Sequence, residues 1–273
     1  MMLKNFGQME QFVREQSGKK RVALAAAHDA DALGSLMMAV DRGIAEAILI
    51  GRRKEIVRVL DEMGKDAGDF RIIEEEDDRA AADKAVELVH RGEADMPMKG
   101  LMHTSTFMKA ILDKEKGLKE DGNLLSQASV FEIPEKDRFL IISDCAVNID
   151  PDLETKIKIT ENAAALAHTL GIEQPKIAVL SAVEVVNPKI RSTVDAAAMR
   201  ERLSDRYLID GPLALDNAID EAAAHHKGIE SPVAGNADIL IVPDLWSGNI
   251  FSKGLVFFAH LRSAGTLNGL KAP

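Results

Sequence analysis

A short apolar run followed by polar residues near the C-terminal end of the chain has the composition of an anion-binding turn. Residues 239–242, Ile-Leu-Ile-Val, are too few for a helix and stop at Pro243, which predicts a strand buried on both faces. Gly248 follows in a polar turn, and Asn249 stands where a helix N-cap is expected. The free N–H groups of a helix N-terminus favour a phosphate group, and Lys253 would add a positive charge one turn later.

Two interpretations of this turn remain open at the level of sequence. In the functional one, Gly248, Asn249 and Lys253 bind a phosphate at the carboxyl end of a strand, where open parallel sheets bind their ligands. In the other, Gly248 provides only backbone freedom and Lys253 is a solvated surface lysine, as at many strand-to-helix turns.

The order of apolar runs along the chain predicts an α/β fold, because strand-like runs alternate with helical patterns and so require parallel sheets with crossover helices. We predict two domains, residues 1–136 and residues 137–273, with parallel or mixed sheets and helices on both faces. The predicted strands are residues 21–26, 47–50, 70–73, 126–133, 139–142, 177–180, 208–209 and 239–242, with a further short or edge strand at residues 96–98. One helix is predicted to begin at Asp150-Pro151, and another to cover residues 216–225.

Composition excludes several classes of protein. The chain has 273 residues with 46% hydrophobic content, enough for a substantial core, and a net charge of −10, which argues against nucleic acid or an anionic membrane as the main partner. Cys145 is the one cysteine, so an internal disulfide is excluded. No apolar run has transmembrane length, and the seven histidines have no metal-ligand spacing. We therefore predict a cytoplasmic protein without a structural metal.

Five separated blocks of sequence resemble the phosphate acetyl/butyryltransferase family, with the closer likeness to its phosphate butyryltransferase branch. The likeness extends over most of the chain from about Arg21 onward. The blocks are Lys99-Gly100 with Thr104, Asp144–Ile149 with Pro151, Ser181–Glu184 with Asn187 and Ser192-Thr193, Asp210–Ala218, and Val233–Lys253. The resemblance implies the two-domain architecture of isocitrate and isopropylmalate dehydrogenases, an active cleft between the domains, and a homodimer or higher homo-oligomer formed through the second domain.

The resemblance also implies a reaction, in which acyl-CoA and inorganic phosphate give acyl phosphate and free CoA. Coenzyme A is then a substrate, and no permanently bound cofactor is expected. A phosphate oxygen attacks the thioester carbonyl, so negative charge builds beside an anion, and fixed donors and cations must stabilise it. Both substrates must be held in line, and the CoA thiol proton must be managed. No covalent nucleophile is required, and we interpret Cys145 as a small buried hydrophobic residue.

The candidate substrate-binding residues are polar or glycine residues at predicted strand ends. They are Lys99, Gly100, Thr104, Ser126, Gln127, Ser129, Asp144, Asn148, Glu184, Thr193, Gly248, Asn249 and Lys253. Structural alternatives stay open, since Lys99 is also explained as an exposed cation, and Ser126 and Thr193 as groups that satisfy the backbone. Gln127 stands where many family members carry histidine, which leaves that position without a titrating side chain.

One expected motif is absent from the sequence. The family that the chain resembles continues beyond Ala272-Pro273 into another strand and a Ser-Arg motif followed by aspartate, which are held to bind phosphate and assist the CoA thiol. This sequence stops at Pro273, and Arg262-Ser263 has the reverse order on a predicted helix. We therefore expect the segment returning to the first domain to be missing, and we assign no catalytic residue.

Three functional hypotheses follow from these observations. The first is a phosphate butyryl- or acetyltransferase, and the second is a catalytically impaired relative that binds acyl-CoA or phosphate. The third is a metal- and nucleotide-dependent dehydrogenase of the same architecture, against which the sequence offers no aspartate cluster suited to Mg²⁺.

Overall fold

The computed structural model describes residues 1–16, 18–119 and 122–272. Its helices are α1 (Phe6–Glu15), α2 (Ala30–Asp41), α3 (Arg53–Glu62), α4 (Asp78–His90), α5 (Thr104–Ile111), α6 (Leu153–Thr169), α7 (Arg191–Leu203), α8 (Leu215–Ile219), α9 (Glu221–His226) and α10 (Leu245–Phe257). Its strands are β1 (Lys20–Ala25), β2 (Ala45–Gly51), β3 (Arg71–Glu74), β4 (Met96–Lys99), β5 (Ser126–Ile133), β6 (Arg138–Ser143), β7 (Lys176–Leu180), β8 (Leu208–Leu213), β9 (Ile239–Ile241) and β10 (Ser263–Asn268). Within these ranges no helix is both long enough and apolar enough to cross a membrane.

The chain divides into two compact units, which we call the N-terminal unit and the C-terminal unit. The N-terminal unit is Glu10–Asp121 with Leu270–Pro273, and the C-terminal unit is Met1–Met9 with Gly122–Gly269. The division differs from the sequence-based boundary at residue 136, which placed β5 in the first domain. The reason is that residues 128–133 of β5 pair with the whole length of β6, so the two strands belong to one sheet.

The N-terminal unit contains a parallel sheet with the strand order β3-β2-β1-β4 and helices on both faces. Side chains alternate across β1, as the two-residue period of a strand requires. Ala23 and Ala25 pack in a core with α4 and α5, whereas Val22 and Leu24 pack with α2 and α3. This arrangement agrees with the predicted α/β class.

The C-terminal unit contains a mixed sheet with the strand order β10-β5-β6-β9-β7-β8. Strands β6, β9, β7 and β8 are parallel, and β5 is antiparallel to both of its neighbours. Ile141 and Ile239 pack against α6 and α7 on one face of this sheet. Ile142 and Leu240 pack on the other face, where α8 and α10 lie.

The C-terminal end of the chain corrects the predicted long helix. That helix was predicted to carry Arg262-Ser263, but α10 ends at Phe257 and Ser263 begins β10, which pairs antiparallel with β5. The sequence of β10, Ser-Ala-Gly-Thr-Leu-Asn, has few β-branched or aromatic residues, so its strand propensity is weak.

The end of the described chain belongs to the N-terminal unit, and the expectation that a further strand and a Ser-Arg motif are missing stays a prediction. Leu270 and Ala272 pack in the apolar core that contains α4 and α5, and the Lys271 N–H donates to the Leu118 carbonyl at 2.9 Å. Burial of the apolar Leu270 and Ala272 side chains is enough to hold this short segment in place. No strand-like pattern in the sequence predicts the segment. Pro273 lies outside the described residues.

Two helix boundaries also differ from the prediction. The start of α6 was predicted at Asp150-Pro151, but the N-cap is Asp152, whose side chain accepts the Thr155 N–H at 2.9 Å. The single helix predicted over residues 216–225 is interrupted at Asp220, which has an extended backbone and caps α9 through the Ala223 N–H. In both places an aspartate that can cap a helix decides where the helix begins.

Candidate functional site

In each sheet, neighbouring strands send their connections to opposite faces. In the N-terminal unit, β1 leads to α2 on one face and β4 leads to α5 on the other. In the C-terminal unit, β6 and β7 lead to α6 and α7 on one face, whereas β9 between them leads to α10 on the other. Such switch points open a crevice at the carboxyl ends of the strands, where α/β proteins bind ligands. Most of the candidate residues lie at these two edges.

At the edge of the N-terminal unit, Gly100 lets the end of β4 approach β1 closely. Its N–H donates to the Ala25 carbonyl at 2.8 Å, and a Cβ at this position would lie 2.2 Å from the Ala26 carbonyl oxygen. No other residue type fits that space without moving the backbone. Gly100 therefore fixes the position of its neighbour Lys99 against the central strand of the sheet.

Lys99 is half-buried and has unused hydrogen-bonding capacity. Its Nζ donates to the Gly100 carbonyl at 3.2 Å and to the Met102 carbonyl at 3.1 Å, and it has no ion-pair partner among residues 1–16, 18–119 and 122–272. Thr104 is the first residue of α5, and the N-cap residue His103 makes no side-chain cap hydrogen bond. An ammonium group with a third N–H and an uncapped helix N-terminus thus lie next to each other in the sequence, both suited to an anion.

At the edge of the C-terminal unit, Asp144 is buried and its carboxylate organises the loop that follows β6. One oxygen, Oδ1, accepts the N–H groups of Ala146 at 2.8 Å and Val147 at 2.9 Å. The other, Oδ2, accepts the Asn148 side chain at 2.6 Å and the N–H groups of Asn148 at 3.3 Å and Gln127 at 3.2 Å. These donors occupy the lone pairs of the carboxylate, so Asp144 stabilises the loop by accepting hydrogen bonds from the loop's own residues.

Three further candidates lie on β5 beside Asp144. Ser126 is fully buried, and its Oγ accepts a hydrogen bond from the Asn162 side chain of α6 at 2.8 Å, a partner that the sequence did not indicate. Gln127 Nε2 donates to Ser129 Oγ at 3.0 Å, and Gln127 Oε1 is buried without a partner in the part of the chain that is described. Ser126 thus supports the packing of β5 on α6, whereas Gln127 keeps a free acceptor.

Two candidates follow β7, and they have different environments. Glu184 accepts a hydrogen bond from Lys227 Nζ at 2.6 Å, and this contact with the ammonium group holds the pKa of the Glu184 carboxyl below its usual value. Glu184 is therefore ionised at neutral pH. Thr193 is fully buried, and its Oγ1 accepts the Asn187 N–H at 2.9 Å and donates to the Ile190 carbonyl at 2.7 Å. For Thr193 the structure favours the interpretation as a group that satisfies the backbone.

The N-terminus of α10 is capped by a carboxylate and not by Asn249 as predicted. Asp244 is the N-cap residue, and its Oδ1 accepts both the Ser247 N–H and the Ser247 hydroxyl at 2.8 Å. Aspartate is a preferred N-cap, and its position directly after Pro243 was the signal that the sequence offered. Because a carboxylate caps this end of the helix, its negative charge opposes a phosphate there.

The remaining residues of this turn serve packing. A Cβ on Gly248 would lie 2.6 Å from the Asp144 carbonyl oxygen, which brings α10 directly against the Asp144 loop. Asn249 Nδ2 donates to the Cys145 carbonyl at 3.1 Å, and Lys253 is exposed. These contacts agree with a packing role for the turn, and the phosphate interpretation of Gly248, Asn249 and Lys253 stays a prediction.

Comparison with known proteins identifies the family. A family model described as phosphate acetyl/butaryl transferase matches residues 78–273, which is well over half of the chain. The chain belongs to the phosphate acetyl/butyryltransferase family. All five blocks that carried the resemblance lie within the matched range, so the resemblance is confirmed.

Relatives of known function and known structure extend over nearly the whole chain. A phosphate butyryltransferase of Clostridium acetobutylicum is 45% identical over 277 aligned positions, covering 100% of this chain and 91% of the relative. A phosphate acetyltransferase of Thermotoga maritima is 41% identical over 271 positions, covering 97% and 91%. A branched-chain phosphotransacylase of Enterococcus faecalis superposes with a TM-score of 0.82 at 34% identity, covering 93% of this chain and 90% of that one.

Cys145 directly follows Asp144, and its environment allows a prediction about the reactivity of its thiol. The thiol is buried, and burial raises its pKa to about 12. At pH 8 only about one thiol in ten thousand is then a thiolate, the form that reacts with electrophiles.

We expect native protein at pH 8 to resist alkylation of Cys145 by iodoacetamide, and denatured protein to be alkylated fully, as measured by intact-mass spectrometry. Unfolding removes the burial that raises the pKa, so the denatured sample is the internal control. Complete labelling of the native protein within minutes would contradict the buried, protonated thiol.

Proposed function

We propose that this chain transfers a short acyl group, butyryl or acetyl, between coenzyme A and inorganic phosphate. The observation that carries the proposal is membership of the phosphate acetyl/butyryltransferase family, with a phosphate butyryltransferase 45% identical over the full chain. A phosphate acetyltransferase at 41% identity supports the same reaction with a shorter acyl group. Acyl-CoA and phosphate are the substrates, and coenzyme A leaves as a product.

We assign the inorganic phosphate to the edge of the N-terminal unit, at Lys99 and the start of α5. Lys99 supplies an ammonium group without a carboxylate partner in the described ranges, and the first turn of α5 supplies backbone N–H groups that no side chain caps. Thr104 adds a hydroxyl at the same helix end. Three kinds of donor at one end of one sheet suit the charge and the acceptor oxygens of inorganic phosphate.

The reaction then needs no covalent attachment to the protein. A phosphate oxygen forms a bond to the thioester carbonyl carbon, the carbonyl electrons move onto oxygen, and their return breaks the carbon–sulfur bond. The sulfur leaves as thiolate and takes up a proton to give free CoA. Fixed cations such as Lys99 lower the barrier by holding the anionic phosphate in place and by offsetting the charge that develops beside it. The neutral, buried Cys145 takes no part in this scheme.

Two broader statements stay predictions that accompany this proposal. The likeness to phosphotransacylase structures supports a two-unit α/β architecture, and the relation to isocitrate and isopropylmalate dehydrogenases rests on the sequence resemblance. A cytoplasmic location rests on composition, including the single cysteine and the lack of an apolar run long enough to span a membrane.

The proposal is tested by incubating the purified chain with butyryl-CoA or acetyl-CoA and following CoA release with a thiol reagent. We expect release that depends strictly on added phosphate, together with formation of acyl phosphate trapped as the hydroxamate. Omission of phosphate is the control, because a thioesterase releases CoA without it. Binding of CoA without any turnover would overturn the proposal and support the impaired binding relative.

The role of Lys99 is tested by Lys99→Gln, which removes the charge and leaves a polar side chain that is one atom shorter. Because a charge-assisted contact to phosphate is lost, we expect KM for phosphate to rise at least about tenfold, with a smaller change in KM for acyl-CoA. Lys109→Gln on the exposed face of α5 is the matched control and should leave both values unchanged. An unchanged KM for phosphate in Lys99→Gln would contradict the assignment.

We propose in addition that the chain forms a homo-oligomer through one face of α10. Trp246, Ile250 and Phe257 recur at helical spacing and are 59%, 72% and 70% exposed, whereas Phe251 and Leu255 face the core. This apolar face of α10 is exposed in the described chain. A second copy presents the same apolar face, so a two-fold pairing would remove both from water.

We expect Ile250→Asp to reduce the mass measured by sedimentation equilibrium from that of an oligomer to that of a monomer, because a buried unpaired carboxylate opposes association. Met38→Asp, a change at an exposed apolar residue of α2, is the control and should keep the oligomer. A wild-type chain that sediments as a monomer would disprove the pairing.

A further inference from the structure

Two loops border the crevice of the C-terminal unit. The β6 loop, residues 144–152, follows β6, and the β7 loop, residues 181–190, follows β7. Because β9 lies between β6 and β7 in the sheet, the two loops stand on either side of the position where β9 ends. The width of this crevice therefore depends on what holds the two loops at a fixed separation.

Arg191, the first residue of α7, spans from the end of the β7 loop to the β6 loop. Its Nη1 lies 3.2 Å and 3.3 Å from the two carboxylate oxygens of Asp150, and its Nη2 donates to the Pro151 carbonyl at 3.1 Å. Its Nε lies 3.4 Å from Oδ2 of Asp195, one turn further along α7. One guanidinium group thus contacts a side chain and a backbone carbonyl of the β6 loop while it is held to its own helix.

The contact with Asp195 is anchored in the protein interior. Oδ2 of Asp195 also lies 2.6 Å from Nζ of Lys156 on α6, and the side chains of this pair are only 13% and 4% exposed. An isolated surface ion pair fixes little, because two long side chains must be ordered in water. Here the planar guanidinium is held on several sides, and the carboxylate behind it is buried with its own cation, so its orientation is constrained.

A contact at the base of the β7 loop supports this interpretation. Ser181 begins the β7 loop, and its Oγ lies 2.8 Å from Oγ of Ser192, the residue after Arg191. The β7 loop is therefore closed at its base, directly where Arg191 reaches across. On the other side, Asp144 fixes residues 146–148 of the β6 loop from within, and Arg191 fixes its residues 150 and 151.

We propose that Arg191 is a positioning residue that sets the separation of the β6 loop and the β7 loop for binding of acyl-CoA. The proposal rests on the proposed function, because it identifies which substrate uses this crevice. Arg191 acts through the loops that it joins and does not itself contact the substrate. Its loss leaves the chemical groups in place and loosens the geometry in which they meet the acyl-CoA.

The test is Arg191→Gln, which removes the charge and the planar fork, with Arg191→Lys as the conservative variant. We expect KM for butyryl-CoA to rise about tenfold in Arg191→Gln, since small misplacements of binding groups are costly, while kcat falls less than about threefold. The lysine of Arg191→Lys can pair with one carboxylate, but it cannot contact Asp150, Pro151 and Asp195 together. Its KM should therefore lie between those of wild type and Arg191→Gln.

The matched control is Arg206→Gln. Arg206 Nη1 lies 2.7 Å from Oε1 of Glu161, so this pair joins α6 to the turn that follows α7. The Arg206 side chain is about as exposed as that of Arg191. It stands just before β8 begins, at the opposite edge of the sheet from the crevice. We expect both glutamine variants to lower the urea midpoint by similar small amounts, and only Arg191→Gln to change KM.

Direct titration with CoA in a calorimeter separates this inference from the proposed function. If wild type binds CoA without turnover, the proposed function fails, and a Kd about tenfold weaker in Arg191→Gln than in Arg206→Gln still supports the positioning role. If Arg191→Gln matches wild type in both KM and Kd, or if Arg206→Gln weakens binding equally, the positioning role of Arg191 is overturned.

Discussion

The edge of the C-terminal unit depends on a carboxylate that water does not reach. Asp144 is 3% exposed, and no cation pairs with it in the described chain, so hydrogen-bond donors alone must compensate for its burial. It receives them from its own loop and from β5, which forces the backbone of residues 146–148 to curl around it. Gly248 then allows α10 to pack closely against the main-chain carbonyl of Asp144. The strand β5, the β6 loop and α10 therefore all meet at one residue.

Burial of this kind also divides the candidate residues by role. Ser126, Asp144 and Thr193 have their polar groups occupied by the protein, and they hold other residues in place. Lys99 is different, because its ammonium contacts only two carbonyl oxygens and keeps a donor free. Gln127 also keeps an acceptor without a partner within the described ranges. A residue type at a strand end is thus a weak guide to function until its hydrogen bonds are counted.

The sequence predicted the alternation of strands and helices well, because buried parallel strands such as residues 177–180 are short continuous apolar runs with clear ends. It predicted the edge location of Lys99 and Asp144 for the same reason. It failed at β10, whose small polar residues carry no period, and at the start of α10, where Asp244 competes with Asn249 as the cap. It also failed at the unit boundary, because pairing of β5 with β6 is a long-range choice that local pattern does not encode.

An acidic protein that binds two anionic substrates must rely on local rather than overall charge. The chain carries a net charge of −10, which by itself repels both phosphate and CoA. At physiological ionic strength charges more than about 8 Å apart are largely screened, so distant carboxylates matter less than the groups at the site. Several acidic side chains form ion pairs on helices, as Glu87 does with Lys84 and Arg91. Lys99 has no such partner in the described ranges, and its half-buried position strengthens its field where an anion would approach the start of α5. In the proposed phosphate site, this single cation provides the local positive charge that the acidic protein lacks overall.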